Sequence, residues 1–190
     1  MPFPLDASPA RRRQLLLDAL ASGGAASIAS TVALLAYGKQ ECDDMAAPLN
    51  GPSQWVWGRH APYHDGFSWR YTAVGFLVHH VASNFWGAIY ALVRGKGQGA
   101  AHDIGAAVGV SAVGCVVDYL FTPKRLKPGF EKRLSIRALA GVYAVFAAGL
   151  AAGALLREAR LSDRADRASP RRATPAPSRR PETGARSRRG

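Results

Sequence analysis

Side chains that could move a proton or hold a ligand are concentrated in one otherwise apolar segment, residues 71–93. This segment has no Lys, Arg, Asp or Glu, yet it contains His79, His80, Ser83 and Asn84. Polar groups at membrane depth are costly and usually face the interior of a helix bundle. Because residues four apart share a helix face, His79 and Ser83 form one row, and His80 and Asn84 form the adjoining row.

These rows have two interpretations, and both stay open at this stage. One is functional: a proton relay, a metal or haem ligand, or a substrate contact. The other is structural: hydrogen bonds between helices, each worth about 1 kcal/mol. We favour the structural interpretation and expect the partners on the third helix: Asp118, Tyr119 or backbone atoms. An antiparallel neighbour would bring Asp118 to the same end of the membrane. Haem is disfavoured because no second apolar segment supplies a histidine.

A weaker metal candidate lies outside the apolar segments. His60, His64 and Asp65 would share a face if this stretch were helical, but Pro62 lies between the two histidines and opposes a regular helix. The sequence also lacks CxxC, HExxH, acyl-transfer and phosphate-binding patterns. We therefore predict no metal, no cofactor and no enzymatic activity. An enzyme acting on lipid, using these three residues at headgroup level, is a third hypothesis.

The elements that position these residues are four uncharged or nearly uncharged stretches, each long enough for a transmembrane helix. About twenty residues at a rise of 1.5 Å cross a hydrocarbon layer of about 30 Å. The predicted fold class is all-α, a polytopic membrane protein of about four transmembrane helices in an antiparallel bundle. The stretches are 19–37, 71–93, 104–122 and 138–156.

Small residues predict how these helices pack. Gly105 and Gly109 form one GxxxG pair, and Gly149 and Gly153 form another. Such pairs let helix backbones approach closely. We therefore expect the third helix, 104–122, at the centre of the bundle, although its low bulk also suits a re-entrant segment.

Charge is segregated from the apolar stretches. Lys and Arg number 25 against 13 Asp and Glu, for a net charge of +12, and more than half of this excess lies in residues 157–190. This tail has almost no large apolar residue, so we predict that it is disordered. Basic residues outside apolar runs favour contact with anionic lipid headgroups over nucleic acid.

The segments between helices complete the topology. Counts of Lys and Arg near the helix ends slightly favour cytoplasmic termini in a bacterial inner membrane, with 1–18 and the short loop 94–103 inside and the connector 38–70 outside. The connector carries interfacial aromatic residues. The turn 123–137 is assigned outside despite its charge: Lys124, Arg125, Lys127, Lys132 and Arg133.

This basic turn allows three explanations. It contacts lipid phosphate or an acidic partner outside, it stays inside behind a re-entrant third helix, or the whole orientation is inverted.

Several short strings resemble an uncharacterised group of small multi-spanning bacterial inner-membrane proteins. They are Ala-Ser-Asn-Phe-Trp-Gly at 82–87, Asp-Tyr at 118–119, Pro-Lys-Arg-Leu at 123–126 and Pro-Gly-Phe-Glu at 128–131. The resemblance implies location and helix number but no activity.

We expect a non-enzymatic protein of structural or accessory type. The alternative is a small transporter or proton-conducting element that uses polar residues of the second and third helices. Four short helices enclose little space, so that alternative calls for a homo-oligomer or a membrane partner.

Overall fold

The computed structural model describes residues 8–95 and 98–168, and these residues contain α-, 3₁₀- and π-helical segments and no strand. The α-helices are α1 Pro9–Cys42, α2 Ala47–Asn50, α3 Gln54–Trp57, α4 Val74–Arg94, α5 Ala100–Val116 and α6 Ile136–Ala168. Four stretches are long and apolar enough to cross a membrane: Pro9–Cys42, Trp69–Arg94, Ala100–Phe121 and Ile136–Ala168. The all-α, polytopic fold class is therefore confirmed.

Local sequence explains how the long helices begin and where their geometry changes. Ser8 accepts a hydrogen bond from the backbone N–H of Arg11 at 3.4 Å, and Pro9 fits the first turn of α1. A π-helical turn, Trp69–Ala73, leads into α4, and a second one, Val117–Phe121, continues α5. Such turns are rare and occur frequently at functional sites.

The four long helices pack antiparallel to their neighbours, and α1 makes the closest contacts. It packs against α4 on one side and α6 on the other, and α5 packs against the same two helices from the opposite direction. A methyl group at Gly87 of α4 would lie 2.6 Å from the carbonyl oxygen of Ala19. At Gly149 of α6 it would lie 2.5 Å from the Cα of Ala26, so only glycine permits these backbone distances.

The expected central position of α5 is wrong. A methyl group at Gly105 or Gly109 would meet no atom within 4 Å, so this GxxxG pair faces away from the bundle, whereas Gly153 lies against Ser22 of α1. A GxxxG pair marks a surface that permits close approach but does not identify the helix that uses it.

Helix α5 is also not re-entrant. With its π turn it covers 22 residues, or about 33 Å. One end lies beside Arg94 and the other beside the connector, so it runs the length of the bundle.

Helix α6 continues beyond the apolar stretch, which corrects the prediction of a disordered tail from residue 157. Arg157 pairs with Asp18 of α1, and Glu158 pairs with Arg94 of α4. These ion pairs attach the first charged turn to the bundle, and the following residues remain helical to Ala168. The rest of the predicted tail, 169–190, lies outside the described residues.

The connector and the basic turn fold together into one unit, which we call the cap (residues 43–68 and 122–135). The Gln54 side-chain amide donates to the backbone oxygen of Lys127 at 2.6 Å. At the centre of the cap, fully buried Asn50 donates to the backbone oxygen of His64 at 2.9 Å and accepts from the Thr72 hydroxyl at 2.6 Å. The connector is thus a folded element.

Candidate functional site

A cavity of about 60 Å³ lies directly beneath the cap, between the four long helices. Its volume is enough for a few water molecules or for the polar end of a small ligand. The wall is mainly apolar, with a small number of hydrogen-bonding side chains that converge on it, as in many ligand sites. The polar members are Ser30, His79, Ser83, Ser111, Asp118 and Tyr143.

Asp118 reaches this cavity from the π turn at the end of α5. The Tyr143 hydroxyl of α6 donates to the Asp118 carboxyl at 2.6 Å, and the Ser111 hydroxyl donates to the backbone oxygen of Tyr143 at 2.7 Å. An ionisable side chain within a membrane-spanning segment is rare and often marks a substrate or ion pathway. The Asp118–Tyr143 pair is therefore the chemically most distinctive part of the cavity.

His79 lines the cavity but is held by α1. The Ser30 hydroxyl can donate to the backbone oxygen of Ala26 at 2.7 Å. The same hydroxyl lies 2.9 Å from His79 Nε2, and the tautomer of the imidazole determines which of the two donates. The contact joins α4 to α1 beside the cavity.

The remaining polar residues of α4 are also paired locally or with α1. His80 Nδ1 lies 3.0 Å from the Ser27 hydroxyl. The Asn84 amide donates to the backbone oxygen of His80 at 2.8 Å, and the Ser83 hydroxyl donates to that of His79 at 2.7 Å.

The expected hydrogen bond between a histidine and Asp118 is wrong. Both histidines bond to serines of α1, and Asp118 bonds to Tyr143 of α6. The glycine contacts explain the difference, because they bring the α1 backbone within reach of the α4 side chains. His79 and Asp118 share the cavity wall without bonding to each other.

Two of the three residues of the weak metal candidate are engaged elsewhere. His64 stacks on Tyr71 with ring centroids 3.8 Å apart, and Asp65 forms an ion pair with Arg133 at 2.8 Å. His60 joins neither contact. Within residues 8–95 and 98–168, no group of three or more His, Cys, Asp or Glu side chains could hold a metal ion.

Much of the basic turn is used to build the cap. Lys127 donates to the backbone oxygen of Tyr119 at 2.7 Å, and Arg133 donates to that of Pro62 at 2.7 Å. The Lys132 ammonium lies 5.4 Å from the centre of the Tyr63 ring. Of the five predicted headgroup or partner contacts, Lys124 and Arg125 are the exposed ones without such an internal role.

A buried charge cluster at the opposite end of the bundle escaped the sequence analysis. Arg94 and Asp103, each with a side chain only 6% exposed, form an ion pair at 2.9 Å, and Glu158 also pairs with Arg94. The Tyr90 hydroxyl donates to the backbone oxygen of Asp103 at 3.2 Å. The sequence feature that could have predicted it is the short glycine loop 95–99, because a short loop places Asp103 close to Arg94 at the end of the preceding apolar stretch.

Tyr143 and Ser111 were also missed as site residues. In the sequence, each is a hydrogen-bonding side chain inside a stretch of Ala, Gly and Val, but this pattern does not predict that Tyr143 contacts Asp118.

Comparison with protein-family models, curated proteins and solved structures finds no significant match. Function must therefore be inferred from the geometry of this chain.

Proposed function

We propose that this chain is a non-enzymatic, multi-pass protein of the bacterial inner membrane with a structural or accessory role. Its four helices, long and apolar enough to cross a membrane, are compatible with an integral membrane protein. The observation that supports the proposal is the pairing of both α4 histidines with serines of α1, at 2.9 Å and 3.0 Å. The two histidines, which are the residues of α4 best suited to proton transfer, thus connect two helices.

This pairing favours structure over transport for a physical reason. A relay histidine has to exchange protons with a partner on each side, whereas His79 contacts Ser30, whose hydroxyl also bonds to the backbone oxygen of Ala26, a group that carries no exchangeable proton. Ser27 and Ser30 are both fully buried. These bonds therefore fix the register of α1 against α4.

A double-mutant cycle tests the structural role. We expect His79→Leu and Ser30→Ala each to lower the free energy of unfolding in detergent by about 1 kcal/mol, and the double variant to lose less than the sum. Phe85→Leu is the control, since Phe85 is 60% exposed on the same helix. If His79→Leu is as stable as the parent protein but loses a pH-dependent flux in proteoliposomes, His79 belongs to a proton relay and does not have this structural role.

A small transporter or proton-conducting element is the second candidate. It is favoured by the cavity, which places His79 and Asp118, two residue types that carry protons, on one wall. For this candidate, Asp118→Asn should abolish a proton or solute flux in proteoliposomes while Leu120→Ala, at an exposed position of the same π turn, leaves it unchanged. Equal flux in both variants and in empty vesicles would exclude it.

We further propose that both termini are cytoplasmic and that the cap is external. Support comes from the charge count and from the folding of the connector against the basic turn at one end of the bundle. Reporters inserted after Gly66 and after Arg125 should read external, and one at the carboxyl terminus should read cytoplasmic. Gly51 and Gly129 are unsuitable positions because their backbones are in contact. If the reporters in the cap read cytoplasmic and the one at the carboxyl terminus reads external, the orientation is the opposite of the one proposed.

The proposed partners are the lipid bilayer, anionic headgroups reached through the basic residues of 157–190, and a second copy or another membrane protein. The excess of Arg in that segment supports the headgroup contact. Removing residues 169–190 should weaken binding to anionic vesicles at low salt and leave thermal stability unchanged. Unaltered binding at both low and high salt would exclude the tail as a lipid contact.

A further inference from the structure

A groove of about 310 Å³ runs along the surface between α1 and α6 at the end of the bundle opposite the cap. Its lining has two distinct parts. One part is apolar and mostly small: Ala21, Ala25, Gly153, Leu156 and Leu161. The other part consists of Arg157, Arg160 and Arg164, which share one face of α6 because they are spaced three and four residues apart.

The charges in this groove are not balanced by the residues that the structure describes. Arg157 pairs with Asp18. Arg160 and Arg164 are exposed, and no ion pair joins either of them to a described carboxylate. Two guanidinium groups therefore remain available to an anion, and a planar guanidinium matches the oxygens of a phosphate with two parallel hydrogen bonds.

The groove also crosses the boundary of the apolar layer. Leu156 ends the uncharged stretch of α6, and Asp18 immediately precedes that of α1, so the Arg157–Asp18 pair marks this boundary on both helices. Ala21, Ala25 and Gly153 lie on the apolar side. Arg160 and Arg164 lie beyond it by about 5 Å and 10 Å along the helix axis, a distance that spans the headgroup region.

We infer that this groove binds one anionic phospholipid, with its phosphate between Arg160 and Arg164 and an acyl chain along Ala21, Ala25 and Gly153. The small side chains leave room for the chain at hydrocarbon depth, and the arginines supply charge at headgroup depth. The carboxyl-terminal segment 169–190 is a poor alternative occupant. It contains no Leu, Ile, Val, Met or aromatic residue to fill the apolar part, and it is itself basic.

Lipid retention by the full-length protein tests this site. The protein is exchanged into detergent with phosphatidylglycerol or phosphatidylcholine, and bound lipid is counted by native mass spectrometry. We expect phosphatidylglycerol to be retained and Arg160→Gln/Arg164→Gln to weaken retention by about thirtyfold. The matched control is Arg59→Gln/Arg137→Gln, which removes the same charge from exposed positions at the cap end of the bundle and should change retention far less.

Two further arms separate a lipid site from a simple anion site. Ala25→Leu keeps every charge and fills the apolar part, so it should also reduce phosphatidylglycerol retention. Inorganic phosphate in excess should neither displace the lipid nor stabilise the protein as the lipid does. Equal loss in Arg160→Gln/Arg164→Gln and Arg59→Gln/Arg137→Gln would overturn the inference. Equal retention of phosphatidylcholine, or full replacement of the lipid by inorganic phosphate, would do so as well. Thermal unfolding of the lipid-free variants verifies that they are folded.

Discussion

Helices α1 and α5 contact the same two neighbours, but they are held by different means. The backbone of α1 touches glycines of α4 and α6, and two histidines bond to its serines. Helix α5 turns Gly105 and Gly109 outward and is fixed near its ends, by Asp103 with Arg94 and by Asp118 with Tyr143. The cavity lies beside the part of α5 nearest the cap, where Ser111, Gly114 and Asp118 line it.

The difference shows that a helix in a membrane can be attached through backbone contact at glycines or through side-chain packing with polar contacts at its ends. Dispersion contacts over a glycine face are numerous and need no side chains that can ionise. Helix α5 combines apolar packing of Ala107 and Val110 with polar contacts near its ends, and the cavity lies beside the end that carries Asp118. The α1 side is accordingly the scaffold, and the α5 side carries the candidate site.

The largest effect should come from the charge cluster that anchors α5. Arg94→Met leaves the buried carboxylate of Asp103 and the carboxylate of Glu158 without their cation, and breaking a buried ion pair in this way costs about 3–5 kcal/mol. Unfolding of the detergent-solubilised protein measures this loss, with Arg125→Met as an exposed control. Adding Asp103→Asn should restore part of the stability, because it removes an unpaired charge. Equal losses for Arg94→Met and Arg125→Met would mean that the cluster does not anchor α5.

A smaller effect should follow from filling the α1 interface. Gly149→Val places methyl groups where a single one already lies 2.5 Å from the Cα of Ala26, so we expect a loss of about 1–3 kcal/mol or more. Gly109→Val, in the outward GxxxG pair, should stay within about 0.5 kcal/mol of the parent in the monomer. The pair of variants separates the two glycine motifs directly, and a reversed order of stabilities would contradict the described packing.

The smallest effect should come from the cavity side of α5. Tyr143→Phe removes the hydrogen bond to Asp118 at 2.6 Å, which should cost about 1 kcal/mol. Asp118→Asn should show coupling with it in a double-mutant cycle, since the two residues share one bond. The control is Tyr37→Phe, at a tyrosine on the α1 side that lies against Gly141. Strict additivity of the cavity variants would exclude the Asp118–Tyr143 contact.

The sequence predicted the number of spanning helices because hydropathy depends on composition along the chain, and that information is local. It did not predict the partners of His79, His80 and Asp118, because these depend on how far each helix approaches its neighbours. Gly87 and Gly23 carry that information, but neither belongs to a GxxxG pair. The helical residues 157–168 were missed because their stability comes from ion pairs with Asp18 and Arg94, not from apolar burial.

The cap was missed for a similar reason. Asn50, Gln54 and Arg133 are ordinary loop residues by type, and their importance comes from bonding backbone groups on distant segments. The cavity could not be predicted either, since its polar wall combines residues from all four long helices.

The contact between Gly51 and Gly129 has a consequence for the order of events during synthesis. These two positions are about 80 residues apart in the chain, and ribosomes add about 5–20 residues per second, so the connector waits about 4–16 s before its partner segment is made. During that interval Cys42 lacks the carbonyl of Arg133 that its thiol contacts at 3.1 Å in the finished fold. The connector is therefore without its packing partner until residues 122–135 have been synthesised.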